Sequence, residues 1–162
     1  MPSSDSRIAT TNTPSSSIAS AVTSVGSITS NISQPSSTSS MCLTFAFQTS
    51  LSLIDTAVHI VGGSSRALLG PHIWQAGSSK GFRYARIDLT HHSRLSREEL
   101  DRIEDHANSI VEANIPVEKL MMHRAEADEE FGFEIYQGGP PKQPEIRVMR
   151  IGNHDTQACG GT

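Results

Sequence analysis

The stretch that decides the fold class is SREELDRIEDHANSIVEANIPVE, residues 96–118. Ser96 and Glu99 form the S-x-x-E capping pattern, in which the serine hydroxyl accepts a hydrogen bond from the backbone N–H of the third helical residue. Apolar residues then recur at spacings of three and four and share one helical face, namely Leu100, Ile103, Ala107, Ile110 and Val111. Pro116 ends the pattern, because proline disfavours helical backbone at the residue before it. The stretch therefore predicts an amphipathic helix over residues 96–113.

Further elements extend from this helix in both directions along the chain. The predicted set is a helix at 52–69, strands at 72–76 and 83–89, the helix at 96–113, a strand at 116–122, a short helix at 125–131 and a strand at 145–151. Gly62 and Gly63 weaken the first helix, since each glycine costs about 1 kcal/mol relative to alanine. Because helices and strands alternate without regular βαβ units, we predict an α+β fold with helices packed on a mostly antiparallel sheet.

The N-terminal segment differs sharply in composition from the rest of the chain. About half of residues 1–40 are Ser or Thr, none is aromatic, and only Asp5 and Arg7 are charged. Such a segment buries too little apolar area to offset its conformational entropy, so we predict a disordered tail at residues 1–50 and a domain at 51–162. Two alternatives stay open. One is an organelle transit peptide, although those carry several arginines, and the other is an extension that arises from a misplaced start or a shifted frame.

Charge and cysteine content restrict the class of protein. The chain of 162 residues has 13 basic and 17 acidic residues and a net charge of −4, which argues against a general binder of DNA or other polyanions. Two cysteines, Cys42 and Cys159, are too few for a disulfide framework, so a reduced, cytoplasmic protein is expected. Nothing in the sequence approaches the ~18 consecutive apolar residues of a membrane span.

Five motifs in chain order are more specific than these general features. They are DTAVHIV at 55–61, GPHIWQAGSSK at 70–80, the helix at 96–118, FGFEIYQGG at 131–139 and ACGGT at 158–162. Together they resemble the editing domain of alanine–tRNA ligases, in its archaeal form, within the threonyl/alanyl-tRNA synthetase second additional domain family. The W-Q-A-G-S segment, Gly160 and Thr162 favour the alanine branch over the related editing domain of threonine–tRNA ligases.

The resemblance implies a zinc site. The family binds zinc through H-x-x-x-H on a helix and C-x-x-x-H at the end of the domain. This chain has Asp55 and His59 at the helical positions and Cys159 at the third, and the final histidine would follow Thr162. We therefore expect a fragment, truncated at the C-terminal end of the domain, with a weakened zinc site. Taken alone, Asp55 and His59 also fit a surface pair, and Cys159 also fits a buried or free thiol.

The resemblance also implies a reaction. The family's editing domain hydrolyses tRNA(Ala) that carries Ser or Gly, and the matching positions Gln75 and Thr56 would hydrogen-bond the aminoacyl group. Editing is needed because one methylene gives only ~1–3 kcal/mol of discrimination in a binding pocket. No aminoacylation core is visible in the sequence. The alternatives are a non-catalytic remnant that folds and binds tRNA without a functional metal, and a gene product without a stable fold.

Other histidines and a basic group complete the candidate residues. We predict that His91 and His92 lie on a loop surface and form no metal site. The remaining histidines have no ligand-like partners in the sequence and are predicted to be structural or solvent-exposed: His72, His106, His123 and His154. A basic group either contacts tRNA phosphates or forms a solvated strand edge; it consists of Lys80, Arg83, Arg86, Arg94 and Arg97.

Overall fold

The computed structural model describes residues 16–17, 28–31, 38–44, 51–81, 84–137 and 139–160. In chain order the elements are β1 (Ser16–Ser17), β2 (Ile28–Asn31), β3 (Thr38–Thr44), α1 (Leu51–Leu69), β4 (Gln75–Lys80), β5 (Tyr84–Thr90), α2 (Arg97–Glu112), β6 (Pro116–His123), α3 (Arg124–Phe131), a 3-10 turn (Phe133–Ile135), β7 (Glu145–Ile151) and β8 (Asp155–Ala158). The strands form two antiparallel sheets with the orders β1-β6-β7-β8 and β2-β3-β5-β4. The α+β class is confirmed.

The capped helix α2 forms as the sequence predicts. The Ser96 hydroxyl accepts a hydrogen bond from the Glu99 backbone N–H at 3.2 Å, and the Glu99 carboxylate accepts one from the Ser96 backbone N–H at 2.8 Å. Burial of the predicted apolar face is also confirmed, with Leu100, Ile103 and Ala107 at 4% exposure or less. Helix α2 packs on α1, and this face shares one buried core with α1 residues, while the capping box fixes where α2 begins.

Helix α1 continues through Gly62 and Gly63 because tertiary packing outweighs their low helical propensity. The helix packs on α2 and on β4, β5 and β8, and Ile54, Ile60 and Val61 are fully buried. A Cβ atom at Gly63 would lie 2.8 Å from His154 Nε2 and 2.9 Å from Asp155 Cβ. The glycine therefore lets the turn between β7 and β8 approach the helix backbone.

The strand predicted at residues 72–76 is wrong in its first half. Gly70 has φ +114°, and the Ile73 backbone N–H donates to the Gly70 carbonyl at 3.2 Å, so the chain turns before it extends. The strand begins at Gln75 and runs to Lys80. Its pairing with β5 shifts by one residue between Gln75 and Gly77, which leaves Ala76 as the extra residue of a β-bulge.

The predicted tail at residues 1–50 falls largely outside the described residues. Within that range the structure describes β1, β2 and β3. Strand β3 pairs antiparallel with β5, with Met41 opposite Ile87 and Thr44 opposite Tyr84. The boundary between tail and domain at residue 50 stays a prediction.

The packing of helices on strands brings three distant parts of the chain together. The first turns of α1, the strand β4 and the end of β8 meet at one edge of the main core. In the part of the chain that the structure describes, no helix combines the length and apolar character that crossing a membrane requires.

Candidate metal centre

Three predicted ligands meet at this edge of the core. Asp55 and His59 lie one turn apart on α1, and Cys159 follows the last residue of β8. Each offers one ligand atom, and these atoms all lie within 4.8 Å of one another. The residues are buried, with exposures of 2%, 6% and 8%. The structure thus joins two sequence motifs that are about 100 residues apart into one constellation of oxygen, nitrogen and sulfur.

Asp55 is the centre of the hydrogen bonding in this constellation. The Cys159 thiol donates to Asp55 Oδ2 at 3.0 Å, and the Lys80 ammonium forms a short ion pair with Asp55 Oδ1. Burial raises the pKa of Asp55, but the hydrogen bonds from Lys80 and Cys159 outweigh burial and leave the pKa below its usual value. Asp55 is therefore a carboxylate at neutral pH, with a cation and a thiol as its partners.

His59 is held as a neutral imidazole. Its Nδ1 lies 3.0 Å from Gln157 Oε1, which makes Nδ1 the donor and leaves the lone pair on Nε2. Burial lowers the pKa of His59, against the opposing charges of Asp155 and Asp55. A neutral imidazole whose second nitrogen is hydrogen-bonded is the usual form of a histidine that binds a metal.

A polar pocket of about 420 Å³ opens next to these residues. Gln75, Ser78 and Lys80 all line it, because the bulge at Ala76 places Gln75 on the same face of β4 as the other two residues. The Gln75 backbone N–H donates to Gln137 Oε1 at 2.7 Å, which fixes the start of the strand. Gln75, a predicted contact of the aminoacyl group, therefore lies beside the candidate ligands Asp55, His59 and Cys159.

Thr56, the second predicted contact of the aminoacyl group, does not line this pocket. It is 8% exposed on α1 and does not occur among the described residues that line the pocket. A hydrogen bond from the Thr56 hydroxyl to the aminoacyl group stays a prediction.

Sequence reasoning missed several residues of the site. Gln157 orients His59, and Gln137 holds Gln75. Lys80, which the sequence places only in the basic group, pairs with Asp55. A signal for Gln157 exists, since it lies two residues before Cys159 and shares its side of the strand by the period of two. Lys80 gives no such signal, because its position depends on the bulge at Ala76.

A second pocket of about 290 Å³ shares Gln137 and Cys159 with the first. Two of its polar atoms, Gln137 Nε2 and Arg147 Nε, are buried and have no hydrogen-bond partner within the described part of the chain. An Arg147 Nη2 also lies 4.0 Å from Cys159 Sγ. Buried donors without partners are rare in folded proteins, and they mark a place where an acceptor from a ligand can bind.

The predicted basic group is mostly neutralised. Besides the Lys80 pair, Arg86 binds Asp88 at 3.1 Å and Arg97 binds Asp101 at 2.5 Å. Arg83 lies outside the described residues. These ion pairs favour the solvated strand edge over a phosphate-binding surface.

The other histidines divide into two groups. His106 Nδ1 lies 3.0 Å from Ser64 Oγ and His154 Nε2 lies 3.2 Å from the Ile60 carbonyl, so both are structural, as predicted. The predicted surface position of His91 is wrong. The residue is 6% exposed, and its Nδ1 lies 3.0 Å from His72 Nε2, in a cluster that includes the exposed His92.

Comparisons with known proteins identify relatives of part of the chain. No protein-family model matches the chain. Curated aminoacyl-tRNA ligases do match it, over 107 residues that make up 66% of the chain. They are alanine–tRNA ligases, among them those of Natronomonas pharaonis (50% identical), Methanopyrus kandleri (50%) and Hyperthermus butylicus (48%). About two thirds of the chain is therefore a domain related to archaeal alanine–tRNA ligases. The matched segment spans only 11–12% of the length of these relatives.

Proposed function

We propose that this domain hydrolyses the ester of mischarged Ser- or Gly-tRNA(Ala), with zinc held by Asp55, His59 and Cys159. The observation that carries the proposal is the meeting of these three donors beside an open polar pocket, in a domain related to alanine–tRNA ligases. Editing, zinc and the tRNA substrate belong to the proposal, since the relatives are much longer proteins.

The donor set fits zinc. Zinc accepts carboxylate oxygen, imidazole nitrogen and thiolate sulfur, and a catalytic zinc commonly has three protein ligands with the fourth position open. When bound, zinc would supply Lewis acidity and lower the pKa of a water molecule. Gln157 would keep the His59 ring oriented through its hydrogen bond at 3.0 Å.

The Lys80 ammonium competes with a metal ion for the Asp55 carboxylate. Without a metal, the Asp55 carboxylate is neutralised by the Lys80 ammonium, and the Cys159 thiol keeps its proton as it donates to Asp55. Zinc binding requires the thiol to lose that proton to solvent, and the Lys80 ammonium on Asp55 Oδ1 opposes the ion by charge repulsion and by competing for the carboxylate. The Lys80 side chain is 25% exposed beside the pocket, so it has solvent into which it can move. This competition would add to the weakening that is expected from Asp55 in place of the family's first histidine.

The pockets supply groups for the aminoacyl end of a tRNA. Gln75 and Ser78 line the pocket beside the metal centre, and the unpartnered donors Gln137 Nε2 and Arg147 Nε lie in the adjoining one. An ester carbonyl or a ribose hydroxyl would accept hydrogen bonds from these donors. The polar lining suits a serine side chain, which must be distinguished from alanine by its hydroxyl.

Hydrolysis of purified Ser-tRNA(Ala) by the tag-free, zinc-loaded protein tests the proposal. We expect release of serine above the rate in buffer, and loss of that release in the Cys159→Ala variant. The His123→Asn variant is a matched control, because His123 is an exposed helix cap outside both pockets and asparagine is also a good N-cap. Hydrolysis no faster than in buffer, by a protein shown to contain zinc, would refute the proposal.

One observation favours a second candidate function. The Lys80 ammonium neutralises the buried Asp55 carboxylate without a metal. A non-catalytic remnant that binds tRNA would need such a partner for Asp55, because it has no metal ion to neutralise the carboxylate. Under this alternative, tRNA(Ala) binds equally well with and without a metal chelator, and no ester is hydrolysed. A loss of tRNA binding in the chelator would exclude it.

A further inference from the structure

A second cluster of metal-binding side chains lies where the turn after α1 meets the end of β5. We propose that His72, His91 and His92 form a separate site for a divalent transition-metal ion of the zinc, nickel and copper class. The cluster shares no residue with the candidate centre of Asp55, His59 and Cys159. The proposal therefore does not depend on editing.

The three rings have the spacing that a metal ion requires. Each offers a ring nitrogen, and these nitrogens all lie within 4.8 Å of one another. His72 Nε2 and His91 Nδ1 are 3.0 Å apart, close to the ~3.3 Å that follows from tetrahedral zinc with Zn–N bonds of ~2.0–2.1 Å. The ring centroids of His91 and His92 are 4.3 Å apart, so the third imidazole is already beside the pair.

The backbone that carries the rings is fixed on both sides. Thr90 Oγ1 donates to the His72 carbonyl at 2.8 Å and accepts from the Trp74 backbone N–H at 2.8 Å. These bonds fasten the 70–74 turn to the residue that precedes His91. Ile73 is 1% exposed and anchors the turn in the core. Little rearrangement is thus needed before an ion can bind, which lowers the cost of forming the site.

Charge and ligand type select the kind of ion. The hydrogen bond between His72 and His91 places one proton between two nitrogens. When an ion binds both nitrogens, that proton moves to the other nitrogen of the donor ring, so both imidazoles stay neutral and each forms one coordinate bond. A histidine binds a metal through a ring nitrogen of the neutral imidazole. Neutral imidazoles suit zinc, copper and nickel, whereas calcium and magnesium prefer oxygen. The exposed His72 and His92 leave positions at the ion open to solvent.

Cobalt titration of the tag-free full-length protein tests this site separately from the cysteine centre. Co²⁺ bound at Cys159 gives a thiolate charge-transfer band, whereas Co²⁺ bound by histidines alone gives only ligand-field bands. We expect cobalt that binds without the thiolate band. In His72→Gln and in His92→Gln its affinity should fall at least ~10-fold, because losing a ligand costs no less than losing a residue that orients one. His123→Asn removes one exposed histidine elsewhere and should leave the affinity unchanged.

The proposal is overturned if His72→Gln and His92→Gln bind as much cobalt, with the same affinity, as His123→Asn. Ring nitrogen NMR of the unmodified protein gives an independent check that needs no variant. Added Zn²⁺ should shift the resonances of three imidazoles other than that of His59, and the absence of such shifts would also overturn the proposal. The thiolate band reports the cysteine centre alone, so failure of one site is distinguishable from failure of the other.

Discussion

Two adjacent glycines in α1 allow a matched test of how closely the helix is packed. A Cβ atom added at Gly63 would lie 2.8 Å from His154 Nε2 and 2.9 Å from Asp155 Cβ. At Gly62 the nearest atom would be Ile87 Cδ1 at 3.4 Å, an ordinary contact. Gly63→Ala should therefore force the turn between β7 and β8 away from the helix, whereas Gly62→Ala should fit.

The magnitudes follow from three opposing effects. Either substitution gains about 1 kcal/mol of helical propensity. At Gly63, overpacking costs about 1–3 kcal/mol, and the displaced His154 loses its 3.2 Å bond to the Ile60 carbonyl, worth about 0.5–1.5 kcal/mol. We expect Gly63→Ala to lower the free energy of unfolding by about 0.5–3.5 kcal/mol, and Gly62→Ala to leave it unchanged or raise it by up to about 1 kcal/mol.

Urea unfolding of both variants, followed by circular dichroism in metal-free buffer, measures the difference. The two substitutions change the same residue type in the same helix, so propensity cancels and the packing difference remains. Equal stability of the two variants, or a stabilised Gly63→Ala, would refute the close approach of the turn to α1.

Three further predictions concern charge and capping. Lys80→Met leaves the buried Asp55 carboxylate without its cation, while the Cys159 thiol still donates to it. The substitution should lower the free energy of unfolding of the metal-free protein by about 1–3 kcal/mol and tighten zinc binding in chelator competition. Unchanged zinc affinity would contradict the competition between Lys80 and zinc. Burial lowers the folded-state pKa of four histidines: His59, His91, His106 and His154. As the pH falls, the unfolded chain therefore binds protons before the folded protein does. The free energy of unfolding in urea should fall as the pH drops below about 6.5. A flat pH profile from 7.5 to 5.5 would contradict this. Ser96→Ala removes the α2 cap and should cost about 1 kcal/mol in thermal unfolding without changing zinc binding.

Local patterns in the sequence predicted most of the elements. The capping box at Ser96 and the three-and-four spacing after it require only neighbours along the chain, and α2 matches within one residue at each end. The strand at residues 145–151 likewise matches. The turn at 70–74 was missed because the strand was predicted to begin at residue 72, soon after the helix at 52–69, whereas the positive φ of Gly70 delays the strand to Gln75.

The site was only partly predictable, for a physical reason. Asp55, His59 and Cys159 were identified from motifs, and the structure brings them together. Lys80 was missed as a partner of Asp55, because one inserted residue in a strand changes which face the following side chains occupy.

The histidine cluster was missed for a related reason. His72 and His91 meet through a tertiary contact between a turn and a strand end. Neither their spacing nor their flanking residues signals that contact, so no pattern local to the sequence could have revealed it.

Zinc content is the measurement that tests the central claim most directly. The tag-free protein and its Cys159→Ala variant would be loaded with zinc, exchanged into metal-free buffer and compared by elemental analysis. If Asp55, His59 and Cys159 hold the ion, the variant should contain about one zinc per chain less than the parent, whatever the histidine cluster binds. Equal zinc content in the two proteins would contradict the claim.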